Sequence, residues 1–344
     1  MKILIIKGAF GDVYESAWQK SLTKIGHKVK IFDCHQYTLP TIFGRIERKF
    51  FTGPSIYKIR SESIKFAKEF KPDIILIYQG HYHDKEAIQE LKKIAWVTGY
   101  HNDNPFSAKD DGKHYHRYKH FFDGLSEYNS FHVYRDSNIL DMKQIGIDNV
   151  KTLMSYYIPE SDYPFEIVDS NLGSDVIFAG HPAQDGRERI ITQLVDDNFY
   201  FKLYGNNQYW KKILDNSTLE KLNRIQVLDF NDYRLALNSS KICLSFFSKN
   251  NRDTYTRRVF EIPAMKKFLM TTRTDTMQEL YEEGKEAEYF DSYDELKEKV
   301  EFYLRNESAR KKVEEAGYKR CISSGYDIDT RMQQWIKDIK EWRK

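Results

Sequence analysis

Short apolar runs alternate with amphipathic stretches along the first half of the chain. Residues 3–6 are continuously apolar, and residues 15–25 carry apolar side chains at helical spacing before Gly26. A second, mostly apolar run at 29–32 follows directly. This order of strand, turn, helix, turn and strand is typical of a βαβ unit, in which a helix joins two parallel strands. The first half is therefore predicted to contain a parallel sheet.

Further apolar runs predict the remaining strands. In the first half they lie at 74–78, 95–98, 121–126 and 150–153. In the second half the same pattern returns at 175–180, 201–206, 242–246 and 268–271. Between the two series, the turn-rich stretch has two prolines and little periodicity, which favours a linker. We therefore predict an α/β protein with two Rossmann-like domains.

The chain has 344 residues, too many for one ordinary core, and this length also favours two domains. We predict a first domain over 1–157, a linker over 158–173, a second domain over 174–322 and a C-terminal helical segment over 323–344. Two tryptophans of that last segment, at 335 and 342, need a surface for burial. The segment is therefore expected to pack back on the first domain.

Composition narrows the class of protein. The 54 basic and 51 acidic residues nearly balance, with a net charge of +3, so bulk charge does not demand a nucleic acid. Cys34, Cys243 and Cys321 are scattered and odd in number, which favours reduced thiols inside a cell. No apolar run approaches the roughly 20 residues that span a bilayer, and the first residues resemble a strand rather than a signal peptide. The expected location is cytoplasmic.

A basic pair and two carboxylates precede the apolar run at 268–270. Arg258 and Glu261 are three residues apart, so they share one face of a helical turn. Such a turn can present a cation to a phosphate and an acceptor to a pair of hydroxyls. Asp253 and Arg257 lie on the same stretch. The pattern predicts a site for a nucleoside diphosphate.

A glycine turn in the second domain offers another phosphate contact. Gly180 and His181 follow the run at 175–180, and Arg187 begins the next predicted helix. A helix N-terminus and a guanidinium both favour an anion at this place. The turn at Gly205 follows the next strand.

The first domain has two candidate positions for acid–base chemistry. His101 and Asp103 follow the strand at 95–98, at the edge where ligands bind in open α/β sheets. Either residue could instead cap a turn ahead of Pro105. The loop with Gly11 and Asp12 lacks the third glycine of a dinucleotide fingerprint, so it is either a tight turn or a ligand-facing loop.

Six of the ten histidines lie between 81 and 120, but their spacing matches no familiar zinc motif. We therefore expect no metal site. Basic and aromatic residues are interleaved over 43–60, a mixture that suits a peripheral membrane contact, an anionic acceptor or a nucleic acid. The simpler interpretation is a solvated helix pair with snorkelling side chains.

The layout resembles that of the GT-B glycosyltransferases, in which two Rossmann-like domains face each other across a cleft. The stretches Arg258–Ala264, Phe290–Leu296 and Ala316–Tyr318 closely resemble the spore-maturation-protein-like (CgeB-type) group of these enzymes, also described as glycosyl transferases group 1. Gly180 to Glu188 and Arg258 to Glu261 are also similar to stretches of the phage DNA β-glucosyltransferase, a more distant GT-B enzyme.

The resemblance implies roles for these residues. Arg187 and Arg258 would hold the donor diphosphate, Glu261 would accept from the ribose hydroxyls, and Asp253 would stand for the first acid of a familiar acid pair. An inverting transfer needs one base, for which Asp103 is the first choice, followed by His101 and Asp12. The predicted donor-binding residues are Gly11, Gly180, His181, Arg187, Gly205, Asp253, Arg257, Arg258 and Glu261.

The sequence therefore predicts a metal-independent glycosyltransferase with a nucleotide-sugar donor, UDP-linked by preference, and no obligatory cofactor. The acceptor is open among a glycan, a protein, a lipid and, less favoured, DNA. Two alternatives stay open: a DNA-modifying glucosyltransferase, and a non-catalytic protein that only binds nucleotide sugars.

Overall fold

The computed structural model describes residues 1–9, 13–107, 115–183 and 185–344. The chain divides into two compact units. The first comprises Met1–Met154 together with Ile328–Lys344, and the second comprises Ser155–Asp327. No helix in these described ranges is both long enough and apolar enough to span a membrane.

The first unit is built on a six-stranded parallel sheet in the order β2-β1-β3-β4-β5-β6. Its strands are β1 Lys2–Ile6, β2 Lys28–Phe32, β3 Ile74–Tyr78, β4 Trp96–His101, β5 Ser130–Val133 and β6 Val150–Thr152. The central strand β3 is buried along its whole length, as continuous apolar runs are in parallel sheets.

Helices connect these strands. The described helices of this part of the chain are α1 Val13–Lys24, α2 Ile42–Phe50, α3 Pro54–Phe70, α4 Lys85–Lys92, α5 Lys119–Gly124 and α6 Ser137–Gln144. Local chemistry sets their ends: the Thr41 and Asp84 side chains accept from the Gly44 and Ala87 amides and begin α2 and α4.

The predicted strand at 121–126 is wrong. Residues 119–124 form helix α5. The strand of this region is β5, which begins at Ser130, four residues after the end of the predicted strand. The run is too short for periodicity to separate strand from helix. As a helix it buries Phe121, whose ring contacts His101 and Phe131 edge-on.

The second unit contains a five-stranded parallel sheet in the order β11-β10-β9-β7-β8. Its strands are β7 Val176–Ala179, β8 Phe201–Tyr204, β9 Ile242–Ser245, β10 Phe268–Thr272 and β11 Glu288–Phe290. Its described helices are α7 Arg187–Asp196, α8 Asn207–Trp210, α9 Asn216–Leu222, α10 Phe230–Asn238, α11 Arg258–Ala264, α12 Asp275–Leu280, α13 Tyr293–Arg305 and α14 Glu307–Ser323. The predicted fold class, α/β with two Rossmann-like domains, is confirmed.

The last helix, α15 Ile328–Trp342, belongs to the first unit. Trp335 is fully buried there, and its ring packs edge-on against Trp18 at 5.9 Å between centroids. Asp338 Oδ1 accepts from Lys151 Nζ at 2.9 Å, and Asp338 Oδ2 lies 3.2 Å from His132 Nε2. Apolar and ionic contacts therefore both fix the chain end to the first unit.

The turn-rich stretch 158–173 lies within the second unit. The Asn238 side chain donates to the carbonyls of Phe165 and Ile167 at 2.9 and 2.7 Å. The Asp169 amide donates to Ser239 Oγ at 2.8 Å. These bonds hold the stretch against α10, because they satisfy backbone groups that would otherwise need water.

Candidate functional site

A cavity of about 280 Å³ lies at the carboxyl edge of the second sheet. In doubly wound sheets this edge is where ligands bind. The residues that line the cavity come from the ends of β7 and β8, from the loop before α10, from α10 and from the start of α11. They are Ala179, Gly180, His181, Tyr204, Gly205, Asn206, Val227, Leu228, Asp229, Phe230, Tyr233 and Arg258.

Two glycines form the floor of this cavity by a close backbone approach. Gly205 has φ +153°, and a Cβ atom there would lie 2.3 Å from the Gly180 carbonyl oxygen. The same carbonyl accepts from Trp210 Nε1 at 3.1 Å. Only glycine at 205 allows this contact, because any side chain would push the two turns apart. The floor can therefore admit a ligand close to the backbone.

Arg258 supplies the positive charge of the cavity. It is the first residue of α11, and its guanidinium lies 5.8 Å from the centre of the Phe178 ring. Its Nε is buried, and its side chain forms no hydrogen bond or ion pair with any residue that the structure describes. A cation that lines a cavity without a carboxylate partner favours an anionic ligand there.

His181 lines the same cavity and begins the turn that leads to α7. Burial lowers its pKa from the usual value, and the nearby charges of Arg258 and Arg187 lower it further. Its ring is therefore neutral near pH 7 and can donate one hydrogen bond and accept one.

Arg187 is buried at the start of α7, and its guanidinium is held by its own loop. Its Nε and Nη2 donate to the two carboxylate oxygens of Asp185 at 2.8 and 2.5 Å, and its Nη1 donates to the His181 carbonyl at 3.0 Å. The fork geometry therefore fixes the turn between His181 and α7. The sequence did not lead us to predict Asp185 as the partner of Arg187, although it lies only two residues before it.

The two arginines of the basic pair differ in their contacts. Arg257 Nη2 donates to Asp162 Oδ2 at 2.6 Å, and its Nη1 donates to Glu261 Oε2 at 2.9 Å. The other oxygen of Glu261 accepts from the hydroxyl of Tyr233, which lines the cavity. Glu261 and Asp162 are both buried. Arg257 therefore sits between two buried carboxylates, while Arg258 is turned to the cavity.

Apolar residues line the side of the cavity next to α10. Val227 and Phe230 are both exposed to solvent there. Asp229 between them begins α10, since its side chain accepts from the Asp232 amide at 2.8 Å. Val227, Phe230 and Tyr233 were not predicted from the sequence. The aspartate pair around 229–232 is a helix-start signal that could have located the loop.

Four predicted donor-binding residues do not line this cavity; they are Arg187, Asp253, Arg257 and Glu261. Asp253 is half-buried in the loop between β9 and α11, where its amide donates to the Ser248 carbonyl at 2.9 Å. Gly11 lies outside the described residues, and so does Asp12, the third candidate base.

In the first unit, His101 ends β4 and is buried. Its ring packs near His81, Tyr118 and Phe121. Its Nδ1 accepts from the Asp103 amide at 3.1 Å, so the neutral ring carries its proton on Nε2. Burial holds the pKa of His101 well below its usual value, and the neighbouring His81 and Arg135 lower it further.

Asp103 is half-exposed and lies in a fixed segment. Arg135 Nη1 donates to the Asn102 carbonyl at 3.0 Å, and Asn138 Nδ2 donates to Asn104 Oδ1 at 2.9 Å. The residues on both sides of Asp103 are therefore anchored. Anchoring of this kind gives a side chain the defined position that acid–base chemistry requires.

The buried histidines predict a pH-dependent stability of the first unit. Burial lowers the pKa of His81 and of His83 to about 3. Below about pH 6.5 the unfolded chain takes up protons that the folded unit does not, so stability falls as the pH decreases toward 3. Each histidine is expected to remove about 1.4 kcal/mol per pH unit in this window. Hydrogen exchange of first-unit peptides at pH 7 and pH 5 measures the loss.

The second unit provides a comparison, because it contains one histidine, His181, whose pKa is also lowered, so its stability should fall less steeply between pH 7 and pH 5 than that of the first unit. In a His83→Gln variant the decline should be shallower by about 1.4 kcal/mol per pH unit. Glutamine can keep the bond between position 83 and Ser63 Oγ, which is 2.9 Å long in the structure. Equal stability of the first unit at the two pH values would contradict the prediction.

Within the described ranges, no group of three or more His, Cys, Asp or Glu side chains lies close enough together to hold a metal ion. The cysteines Cys34, Cys243 and Cys321 are buried free thiols.

Comparison with known proteins gives a family match over part of the chain and a set of solved structures with a similar fold. The family described as glycosyl transferase-like matches residues 187–337. That region begins at Arg187 and includes Tyr233, Arg258 and Glu261. No curated protein matches the chain significantly.

Solved structures share the two-domain architecture. Sucrose-phosphate synthase from Thermosynechococcus elongatus has a TM-score of 0.71 at 10% identity, over 99% of this chain and 98% of that one. Anabaena HepE, solved with UDP and glucose, has a TM-score of 0.66 at 11% identity, over 99% and 100%. A glycosyltransferase from Rickettsia africae has a TM-score of 0.65 at 14% identity, over 100% and 98%. These neighbours support the GT-B fold, and the family match supports the predicted enzyme class, a glycosyltransferase.

Proposed function

We propose that the protein transfers a sugar from a nucleotide diphosphate donor, UDP-linked by preference, to an acceptor hydroxyl. The donor would occupy the second-unit cavity. The observation that carries this proposal is Arg258, a cation without an ion-pair partner among the described residues, beside a floor of two glycines. The HepE structures with UDP and with UDP-glucose support a uridine donor by analogy of fold.

Residues in or beside the cavity suit each part of the proposed donor. The diphosphate would contact Arg258 and the neutral His181. The exposed Val227 and Phe230 suit the flat face of a base, because aromatic and aliphatic surfaces stack on π-systems. Glu261 is buried beside Tyr233 and does not line the cavity, although each of its oxygens keeps a lone pair. Its role as an acceptor from the ribose hydroxyls therefore stays a prediction.

Arg257 and Arg187 would act as positioning residues for this site. Arg257 orients the Glu261 carboxylate, and Arg187 fixes the turn that carries His181. Negative charge that develops on the leaving diphosphate would be stabilised by Arg258, so the proposed transfer needs no metal. Asp103 is the proposed base of an inverting transfer, since the proton on His101 Nε2 removes the neutral ring from that role.

The proposal also includes the family group to which the chain belongs. We place the chain with the spore-maturation-protein-like group on the stretches around Arg258 and Phe290.

The alternative of a DNA-modifying glucosyltransferase requires a strongly basic cleft, which a net charge of +3 does not favour. Salt-sensitive retardation of duplex DNA in a gel would support that alternative instead.

The donor site is tested by Arg258→Gln. Loss of a charge-assisted contact to the diphosphate is expected to weaken UDP binding about tenfold to a hundredfold. Binding raises the melting temperature of the folded protein by mass action, so a thermal-shift titration with UDP measures it. A chelator in the buffer tests metal independence at the same time.

Arg189→Gln is the matched control. Arg189 lies on α7, is exposed and forms no ion pair with any residue that the structure describes. Its substitution should leave the UDP titration unchanged. If no UDP-, GDP- or dTDP-linked compound shifts the melting temperature of the unsubstituted protein, the donor site is refuted.

A further inference from the structure

A second cavity, of about 530 Å³, lies at the carboxyl edge of the first sheet. Four basic side chains line it, and no described lining residue is a carboxylate. These are His35, Arg48, Lys49 and Arg117. Arg48 donates to the Leu39 carbonyl at 2.7 Å, and none of the four forms an ion pair with a described residue. The cavity therefore favours an anionic group.

Helix α2 forms one wall of this cavity and carries a large exposed apolar face. The face consists of Ile42, Phe43, Ile46 and Phe50, which are 76%, 57%, 50% and 47% exposed. The last three recur at intervals of three and four residues, so they lie on one side of the helix. Arg45 and Lys49, both exposed, flank the same side.

The opposite side of α2 is fixed to the protein. Glu47 is buried, and its Oε1 accepts from the Ser55 amide at 3.0 Å. Gly44 is packed so closely that a Cβ atom would lie 2.2 Å from the Leu39 carbonyl oxygen. The helix therefore cannot rotate its apolar face inward, since Glu47 and Gly44 hold it in place.

Charge and apolar surface together identify the partner. An amphipathic helix with large apolar side chains and flanking Lys and Arg is the arrangement that binds the interface of an anionic bilayer. The only acidic residue of α2, Glu47, faces inward and does not oppose such contact. The adjacent basic cavity can take an anionic headgroup from the same surface.

We propose that the apolar face of α2 binds the surface of a bilayer containing anionic phospholipids, and that the first-unit cavity binds an anionic headgroup there. This inference rests on the proposed function in one respect: it makes a membrane lipid or a lipid-linked molecule the acceptor class. The binding step itself does not depend on donor chemistry.

Co-sedimentation with vesicles tests the proposal. The full chain should bind vesicles of phosphatidylcholine with phosphatidylglycerol and bind poorly to phosphatidylcholine alone. Phe43→Ser/Ile46→Ser should lower the partition coefficient by at least about tenfold, because the apolar contact is lost. Arg45→Gln/Lys49→Gln should lower it about 25-fold, because each basic residue near an anionic surface contributes roughly fivefold.

Leu140→Ser/Ile145→Ser is the matched control, since both residues are exposed apolar side chains of the first unit and lie away from α2. It should bind vesicles like the unsubstituted chain. Absence of binding, or binding that neither α2 variant weakens, would overturn the proposal. So would self-association that Phe43→Ser/Ile46→Ser abolishes in the absence of lipid binding. A UDP thermal shift run on every variant separates failure of this proposal from failure of the donor site.

Discussion

Asp103→Asn is expected to lower sugar transfer by about 10²- to 10⁴-fold while donor binding is unchanged. The substitution keeps the volume of the side chain but removes its ability to take the proton from an acceptor hydroxyl. The contacts made by Asn102, Asn104 and the Asp103 amide should persist in the variant, because they do not involve the carboxylate. Single-turnover transfer with a UDP-sugar gives the rate, and the UDP thermal shift gives donor binding.

Asp123→Asn is the control for this experiment. Asp123 is an exposed carboxylate of α5 in the same unit, and its loss should not change the rate. An Asp103→Asn variant with normal activity would reject the base role of Asp103. Loss of activity with normal UDP binding would also reject the non-catalytic alternative.

The fold was predictable because its strands are continuous apolar runs. β3 and β7, for example, are each buried along their whole length, and parallel strands covered on both faces produce such runs. The run at 121–126 was wrongly predicted as a strand for the same reason, because it begins with buried apolar side chains. Two adjacent phenylalanines suit a buried helix as well as a strand, and only the packing against β4 and β5 decides between them.

The candidate site was less predictable because neighbours in sequence diverge in space. Arg257 and Arg258 are adjacent, yet one pairs with buried carboxylates and the other lines the cavity. The partner that makes the difference is Asp162, 95 residues away from Arg257 in the sequence. No local pattern connects the two positions. The pairing of Arg187 with Asp185, by contrast, could have been proposed from spacing alone.

The two cavities also differ in a way that bears on function. Arg258 is the one Lys or Arg among the described lining residues of the second-unit cavity, and the floor of that cavity is backbone, which suits one diphosphate held closely. The one in the first unit has several cations and lies beside exposed apolar side chains. This difference between the cavities suits the two proposals. The proposed donor has one diphosphate, and the proposed acceptor would be presented at an anionic bilayer surface.

Arg257→Leu is expected to destabilise the second unit by about 3–5 kcal/mol, the usual cost of leaving buried charges without their partner. Arg257 bridges Asp162 and Glu261, whose side chains are only 2% and 5% exposed. The Asp162 carboxylate also accepts from the Ile158 amide and the Ser161 hydroxyl, so the same change should loosen the stretch 158–173. Hydrogen exchange of peptides within 155–327 measures both effects.

Arg305→Leu provides the comparison, because its pair with Glu301 on α13 is exposed and should contribute little. Arg257→Lys should recover part of the lost stability, since one ammonium can contact one carboxylate but cannot span both in fork geometry. UDP binding should weaken in the leucine variant, because Glu261 would lose the guanidinium that orients it. If the leucine variant is no less stable than Arg305→Leu, the bridge between Asp162 and Glu261 does not hold this unit together.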